Sequence, residues 1–394
     1  NLTALTISIY APESDKDAVK PGKKFVDPVF KSFWLDFSGF NIASNDTNAR
    51  ETISFNANGY DKMQVSFTEY RGNKVTTVFA KSGTTYFELM RDDENNIIVA
   101  EGQILNTGDY VVIGNEDEGY LLKLESTANS STPGTNNDKA RFIDVATGTT
   151  IDTVWIAEGS GTLTVGGLYY IVTMRGNSDV ATSETGSNVT LDYPDSSGNG
   201  VMIVYPTIQT SKGAKIMFYE PLEISLNNWD GTGNKLKKLK IPDGAGYTNV
   251  DLNNTDVSIG KLKFKIVTQN NKISISLKDV YGHIITRPAV VIFEEKDDNS
   301  NYEALIVELE DGRTSDDGLG IDNIEDTWSA AAASWRASRA SDSKLTDAAD
   351  LWGTIVTFDA SDSDQTKATI NYPDKQIYAN IYISAENTQC NNTN

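Results

Sequence analysis

An acidic segment late in the chain carries the side chains best suited to binding a cation. Its carboxylates are Asp316, Asp317, Asp322, Glu325 and Asp326, and two glycines lie among them. Calcium prefers several oxygen ligands, and short loops rich in Asp and Gly supply carboxylate and carbonyl oxygens together. The segment therefore predicts a calcium site, although its spacing is not that of an EF-hand. In a second interpretation, Glu325 and Asp326 only cap the helix predicted to follow and interact with its dipole.

Residues for the common catalytic mechanisms are scarce. The single histidine, His283, lies in an apolar stretch, and the single cysteine, Cys390, lies four residues from the end. Nucleophilic hydrolases with a G-x-S-x-G turn and enzymes with a phosphate-binding glycine loop are not indicated, because neither motif occurs. We therefore expect no enzyme active site and no organic cofactor. A glycosidase stays open, since it needs only two suitably placed carboxylates among 55 acidic residues.

The charge balance narrows the range of partners. With 34 basic and 55 acidic residues the net charge is −21, which argues against nucleic acid or an anionic membrane as a partner. No apolar run approaches the ~20 residues of a membrane-spanning helix. One basic run, from Lys235 to Lys240, stands out. It predicts a solvated strand face, or a patch that binds the carboxylates of a neighbouring copy.

Abundant Asn, Thr, Ser and Gly are typical of an extracellular β-rich protein. Six Asn-x-Ser/Thr sequons occur, which is close to what chance gives in such a composition. Four of these sequons lie in polar stretches away from the ends of the chain. They predict glycosylation at Asn45, Asn129, Asn188 and Asn253.

Alternation of apolar and polar residues predicts antiparallel strands through most of the chain. Met63, Val65 and Phe67 alternate with polar residues, and residues 262–266 and 273–277 form a hairpin pattern around Gln269-Asn270-Asn271. Unbroken apolar runs predict strands that are buried on both faces. These runs are Val201–Tyr205, Ile216–Tyr219 and Ala289–Phe293.

One segment predicts an α-helical element near residues 326–350. Between Thr327 and Ala340, Trp328, Ala331, Ala332 and Trp335 fall on one stripe at helical spacing. A second short helix is predicted over residues 343–350. The tryptophans are interpreted as core residues that pack this helix on a sheet, and sugar stacking is the alternative.

The C-terminal part predicts a three-stranded antiparallel meander with one apolar face. Its strands are Thr354–Phe358, Lys367–Asn371 and Gln376–Ile383, and Trp352-Gly353 precedes the first of them. The sequence of this segment resembles the C-terminal domain of archaeal surface-layer (S-layer) proteins of the methanogen type. In those proteins a W-G-T strand and an I-x-Y-P-x-x-x-x-Y-A strand pair likewise close the chain. The resemblance is fainter around Gly108–Gly114 and Gly166–Val172, and weak in the first hundred residues.

The resemblance implies a structural protein of the cell surface and not an enzyme. Its expected partners are other copies of itself and glycans, in an S-layer lattice or an S-layer-derived surface filament. The expected fold is mainly β, with antiparallel sandwich and meander domains over residues 1–107, 108–220 and 221–394. A secreted carbohydrate-binding adhesin or glycosidase is the alternative function.

Overall fold

The computed structural model describes residues 23–26, 31, 34–37, 50–58, 62–82, 87–91, 95–114, 118–128, 139–157, 160–175, 188–194, 200–226, 236–253, 255–259, 262–278, 282, 284–295, 302–309, 335–339, 355–359 and 367–373. Strands make up 70% of this part of the chain, and it contains no α-helix. The predicted mainly β fold class is therefore confirmed. Within these residues no helix has the length and apolar character needed to cross a membrane.

Valine, isoleucine, threonine and aromatic residues, which fit a half-buried pleated surface, dominate the strands. The first strands in chain order are β1 (Lys23–Val26), β2 (Trp34–Phe37), β3 (Arg50–Ala57), β4 (Lys62–Thr68), β5 (Lys74–Ser82), β6 (Phe87–Arg91), β7 (Asn95–Ile98), β8 (Tyr110–Ile113), β9 (Tyr120–Ala128), β10 (Lys139–Asp144), β11 (Thr150–Asp152), β12 (Val154–Ala157), β13 (Ser160–Val165), β14 (Leu168–Arg175) and β15 (Asn188–Asp192). The remaining strands are β16 (Val201–Ile203), β17 (Thr207–Gln209), β18 (Lys215–Tyr219), β19 (Leu222–Ser225), β20 (Lys238–Pro242), β21 (Tyr247–Asp251), β22 (Asp256–Ile259), β23 (Leu262–Gln269), β24 (Lys272–Lys278), β25 (Ala289–Glu295), β26 (Tyr302–Leu309), β27 (Trp335–Arg339), β28 (Ile355–Asp359) and β29 (Lys367–Pro373).

The largest sheet contains eleven strands in the order β11-β10-β9-β8-β7-β6-β5-β4-β3-β29-β28. Most neighbours are antiparallel, and β7 and β8 are parallel. Strands β12 to β15 form a separate antiparallel sheet in chain order, and β19-β24-β23-β22 form another. The other sheets of the described residues are β16-β20-β21, β17-β18-β25-β26-β27 and the pair β1-β2.

Strands β7, β8 and β9 are shared by two hydrophobic cores. In β8, Tyr110 and Val112 face the first core, whereas Val111 and Ile113 face the second. The first core lies between the large sheet and strands from β16 onward, and the second lies between the large sheet and the sheet of β12–β15. Because successive residues of a strand point to opposite faces, a strand buried on both sides needs an unbroken apolar sequence. The run at Tyr110–Ile113, fully buried along its length, has that sequence.

The predicted hairpin and buried strands are confirmed. Strands β23 and β24 pair from Lys263↔Lys278 to Gln269↔Lys272 around the two-residue turn Asn270-Asn271. Both turn residues have positive φ, 52° and 58°, as a type I′ turn requires. Strands β16, β18 and β25 occupy the three apolar runs, and β4 alternates buried with half-buried residues as predicted.

At the C-terminal end, the first two strands of the predicted meander are present as the antiparallel pair β28–β29. Strand β29 also pairs antiparallel with β3, which joins the two terminal parts of the chain. The predicted third strand, Gln376–Ile383, lies outside the described residues. The domain divisions near residues 108 and 220 stay predictions, although β7 and β8 pair across the first of them.

The predicted helix over Thr327–Ala340 is wrong for its last part. Residues Trp335–Arg339 form strand β27, which pairs antiparallel with β26 from Leu305 to Leu309. An open edge of β26 supplies inter-strand hydrogen-bond partners, and such tertiary pairing overrides a weak local helix propensity. The other residues of the two predicted helices lie outside the described part.

Candidate functional sites

The predicted calcium ligands, Asp316, Asp317, Asp322, Glu325 and Asp326, all lie outside the described residues. Within the described part, no group of three or more His, Cys, Asp or Glu side chains is arranged to hold a metal ion. His283 and Cys390 also lie outside it. The calcium site stays a prediction.

Two of the predicted glycosylation sites can be located. Asn253 is exposed in the turn between β21 and β22, and Thr255 of the same sequon is exposed as well. Asn188 is half-buried at the first position of β15, and Thr190 of its sequon is only 3% exposed. A glycan is tolerated on an exposed turn more easily than on a paired strand, so the geometry favours Asn253. Asn45 and Asn129 lie outside the described residues.

The predicted basic run forms part of β20, a strand with one apolar and one solvated face. Leu239 is buried in the first core, whereas Lys237 and Lys238 are exposed. The Lys238 ammonium lies 3.6 Å from the Asp251 carboxylate on the neighbouring strand β21. The solvated strand face is therefore confirmed, and part of its charge is neutralised within the chain.

A polar cluster, the Arg71 junction, connects the turn between β4 and β5 to the end of β10. The Arg71 guanidinium donates to Glu69 at 2.9 Å and to Asp144 at 2.7 Å. Both carboxylates are almost fully buried, with side chains 1% and 3% exposed. The Glu69 carboxylate also accepts from the backbone amides of Arg71 and Asn73, which fixes the shape of the turn. One cation is thus shared by two buried carboxylates from different parts of the large sheet.

Two tyrosines extend the Arg71 junction toward the sheet of β12–β15. The Arg71 guanidinium carbon lies 5.5 Å from the Tyr70 ring centroid and 4.8 Å from that of Tyr120, at cation–π distance. The Tyr70 hydroxyl donates to the Tyr120 hydroxyl, which in turn donates to Glu118 at 2.9 Å. Glu118 and Tyr120 pack against Gly166 in the β13–β14 turn.

The protonation of this cluster suits a permanent structural contact. Burial favours the neutral form of Glu69, but the hydrogen bonds from Arg71 and Asn73 outweigh it and lower the pKa of Glu69. Burial and the hydrogen bonds with Tyr70 and Glu118 raise the pKa of Tyr120 well above its ordinary value. At neutral pH Glu69 is therefore charged and Tyr120 keeps its proton, so each retains its hydrogen-bonding role.

Another buried carboxylate, Glu101, connects the segment after β7 to two residues of the second core. Its side-chain oxygens accept from the backbone amides of Tyr193 at 2.6 Å and Ile203 at 3.0 Å. Tyr193 belongs to the second core, and its hydroxyl donates to the carbonyl of Val112 on β8. Sequence periodicity contains no signal for Glu101 or for the Arg71 junction, because both depend on contacts between residues far apart in the chain.

The clearest charged surface within the described residues lies on the sheet β19-β24-β23-β22, hereafter the lysine sheet. Its inner side chains, including Phe264 and Ile266, are buried in the first core. Its outer face carries Lys263, Lys265, Lys272 and Lys278. In the sequence, Lys263 and Lys265 alternate with the buried residues of β23. This alternation predicts a solvated face but not its role.

Comparison of the chain with family models, curated proteins and solved structures returned no match.

Proposed function

We propose that this protein is a structural component of a cell surface, which self-assembles into an extracellular S-layer lattice or an S-layer-derived filament. The sequence of residues 351–383 resembles that of S-layer proteins and is the first support for this role. Two strands of that segment form the pair β28–β29. Seven residue pairs then connect β29 to β3, from Lys367↔Asn56 to Pro373↔Arg50.

The observation that carries the proposal is the continuity of the eleven-stranded sheet. With neighbouring strands about 4.8 Å apart, ten inter-strand steps extend roughly 48 Å along the sheet. A subunit of a lattice must transmit force between its contacts without local unfolding. A sheet that joins both terminal parts of the chain and contributes to two cores provides such a path.

Buried polar contacts connect the eleven-stranded sheet to neighbouring parts of the chain. The Arg71 junction links the β4–β5 turn to β10, and Glu101 links the segment after β7 to residues before and within β16. Removing one partner of a buried charge contact is costly, so these contacts resist separation of the elements they join. This stiffness is expected of a building block and supports the structural role.

A carbohydrate-binding adhesin is the second candidate, and one exposed aromatic side chain favours it. Tyr169 on β14 is 66% exposed and lies directly opposite Thr164 on β13. An amphipathic aromatic ring beside hydroxyl groups can stack on a sugar ring and hydrogen-bond to it. In that case a soluble oligosaccharide should broaden or shift the resonances of Tyr169 and its neighbours.

Electron microscopy of the purified protein, with and without calcium, tests the assembly proposal. We expect ordered arrays or filaments without any added substrate. Protein that stays strictly monomeric across calcium and salt conditions would contradict the proposal. If calcium at Asp316–Asp326 supports assembly, chelation should lower the melting temperature, and Asp317→Ala with Asp322→Ala should remove most of that sensitivity.

Surface glycosylation is a separate part of the proposal. We expect native protein to carry a glycan at Asn253 more fully than at Asn188, because only the first sequon is well exposed. Peptide mass spectrometry of native material measures the occupancy at each position. Material that has the mass of the bare polypeptide would rule glycosylation out.

A further inference from the structure

The outer face of the lysine sheet differs in charge from the protein as a whole. Beside its four lysines it carries two carboxylates, Glu223 and Asp256, which gives the face a net charge of +2. The complete chain carries −21. The excess of negative charge therefore lies elsewhere on the protein.

Two of the four lysines are already neutralised by the sheet itself. The Lys272 ammonium pairs with Glu223 on β19, and the Lys278 ammonium pairs with Asp256 on β22. Within the described residues Lys263 and Lys265 make no ion pair. Lys263 is exposed and Lys265 is half-buried, and both lie on β23, one of the two inner strands of the sheet.

The position of Lys263 leaves it among unfavourable neighbours. In the sheet register it lies between Ser258 on β22 and Lys278 on β24. Like charges directly opposite one another on neighbouring strands are destabilising, and the pairing of Lys278 with Asp256 reduces this repulsion without giving Lys263 a partner. A carboxylate from outside the sheet would relieve this repulsion, and the sheet offers no further one of its own at this place.

We propose that the lysine sheet is a subunit contact, whose outer face binds an acidic surface of a second copy of this chain. The inference rests on the proposed self-assembly and names the face that takes part in it. Charge complementarity supports a second copy as the occupant, because the chain itself supplies 55 acidic residues against 34 basic ones. Complementary charged patches raise association rates and fix the register of a contact.

The composition of the face fits this role. Serines at 225, 258, 274 and 276 lie beside the lysines on the outer positions of β19, β22 and β24. Val267 is 38% exposed between them. Short hydroxyl side chains let a neighbouring surface approach closely, while the lysines supply the attraction. This contact should weaken with salt, since the screening length falls from ~10 Å at 0.1 M to ~3 Å at 1 M.

A charge reversal with a matched control tests the contact. The test variant is Lys263→Glu with Lys265→Glu. The control is Lys74→Glu with Lys139→Glu, which changes the net charge equally at exposed positions on β5 and β10. A milder variant, Lys263→Gln with Lys265→Gln, removes the positive charge without introducing repulsion. Sedimentation velocity at low and high salt measures assembly, and melting curves check that each variant is folded.

Lysine reactivity gives a second measurement on the unmodified protein. An amine-acetylating reagent, followed by peptide mass spectrometry, compares assembled protein with protein dispersed at high salt. We expect assembly to slow the modification of Lys263 and Lys265 by about fivefold or more, and to leave Lys74 and Lys139 unaffected. The glutamate variant should assemble at a concentration about tenfold or more above that of wild type.

The possible outcomes separate the contact from the wider proposal. If wild-type protein assembles and the glutamate variant assembles equally well, or Lys263 stays fully reactive in the assembly, the lysine-sheet contact is wrong and self-assembly stands. If wild-type protein never associates, both are wrong. Protection of Lys263 that requires an added anionic polysaccharide would also overturn the second copy as the occupant.

Discussion

The lysine sheet and the sheet of β12–β15, hereafter the threonine sheet, share one plan but present different surfaces. Each has four antiparallel strands and buries alternate side chains in a core. The outward face of the threonine sheet carries Val154, Thr162, Thr164, Tyr169 and Ile171. On the lysine sheet the same positions carry lysine and serine. The inner faces are thus fixed by burial, whereas the outer faces are free to differ.

The central hairpins of the two sheets have the same turn geometry but use different turn residues. Both have a two-residue turn in which each residue has positive φ. The lysine sheet uses Asn270-Asn271, and the threonine sheet uses Gly166-Gly167. Asparagine tolerates the left-handed region, but only glycine fits where no Cβ can be placed. A Cβ on Gly166 would lie 2.2 Å from Glu118 Oε2 and 2.7 Å from the Tyr120 hydroxyl.

The largest expected effect comes from removing a core side chain beneath each sheet. Phe264→Ala should cost about 4 kcal/mol and Leu163→Ala about 3 kcal/mol, because both side chains are fully buried. Since β7–β9 belong to both cores, we expect both variants to lower the same cooperative transition in calorimetry. The adjacent exposed changes Lys263→Ala and Thr164→Ala should stay within about 0.5 kcal/mol of wild type. Two separate transitions, each sensitive to only one core variant, would show that the cores unfold independently.

The next largest effect is expected from removing Arg71. Its guanidinium pairs with Asp144 at the end of β10 and lies over Tyr120, which packs against the β13–β14 turn of the threonine sheet. Arg71→Leu leaves two buried carboxylates without their charge partner, which should cost about 3 kcal/mol at pH 7 in chemical denaturation. The matched control is Arg141→Leu, whose partner Asp152 is exposed, and it should leave stability close to that of wild type.

The same variant should show a distinct pH dependence. In wild type the lowered pKa of Glu69 contributes stability that is complete above its ordinary value near 4.5 and is lost as the pH falls through the folded value. Without the Arg71 side chain, burial raises the pKa of Glu69 relative to its value in wild type. Glu69 therefore takes up a proton at a higher pH. The difference in unfolding free energy between wild type and Arg71→Leu should therefore be smaller at pH 4 than at pH 7. A difference that is independent of pH would contradict this role of Glu69.

A smaller effect should distinguish the two glycines of the threonine-sheet turn. Gly167→Ala adds a Cβ into open space at φ +76°, and should cost about 1 kcal/mol from backbone strain alone. Gly166→Ala has φ +57° and also displaces Glu118 and Tyr120, so about 2–3 kcal/mol is expected. Thermal unfolding of the two variants side by side measures the difference. Equal destabilisation would mean that Glu118 and Tyr120 move aside at no cost.

Sequence periodicity predicted the hairpin β23–β24 of the lysine sheet, because one face of each strand is buried and the other is solvated. The pattern at residues 262–277 gave both the hairpin and its turn. It failed at Trp335–Arg339, where the last part of a segment predicted to be helical forms strand β27. The deciding contact there is β26, some thirty residues earlier in the chain, and a local pattern contains no information about it.

The polar contacts were beyond sequence reasoning for the same reason. Arg71 and Asp144 are 73 positions apart, and Glu101 and Ile203 are 102 apart. Tyr205 is another example, since its left-handed backbone, with φ 54°, is unusual for a bulky residue. It is held by buried contacts with Tyr219 and Phe264. Residue type and spacing predict a face or a strand, whereas these features arise only when the sheets pack together.

The smallest expected effect concerns the turn of the lysine-sheet hairpin. Asn271 has φ 58°, a conformation that costs an alanine about 1 kcal/mol but suits asparagine and glycine. Asn271→Ala should therefore lower the unfolding free energy by about 1 kcal/mol. Asn271→Gly creates the Asn-Gly pair favoured in type I′ turns, and its extra freedom in the unfolded chain offsets that gain, so it should stay within about 0.5 kcal/mol of wild type. If alanine and glycine behave alike in chemical denaturation, the positive φ does not limit this turn, and the two hairpins differ in more than their turn residues.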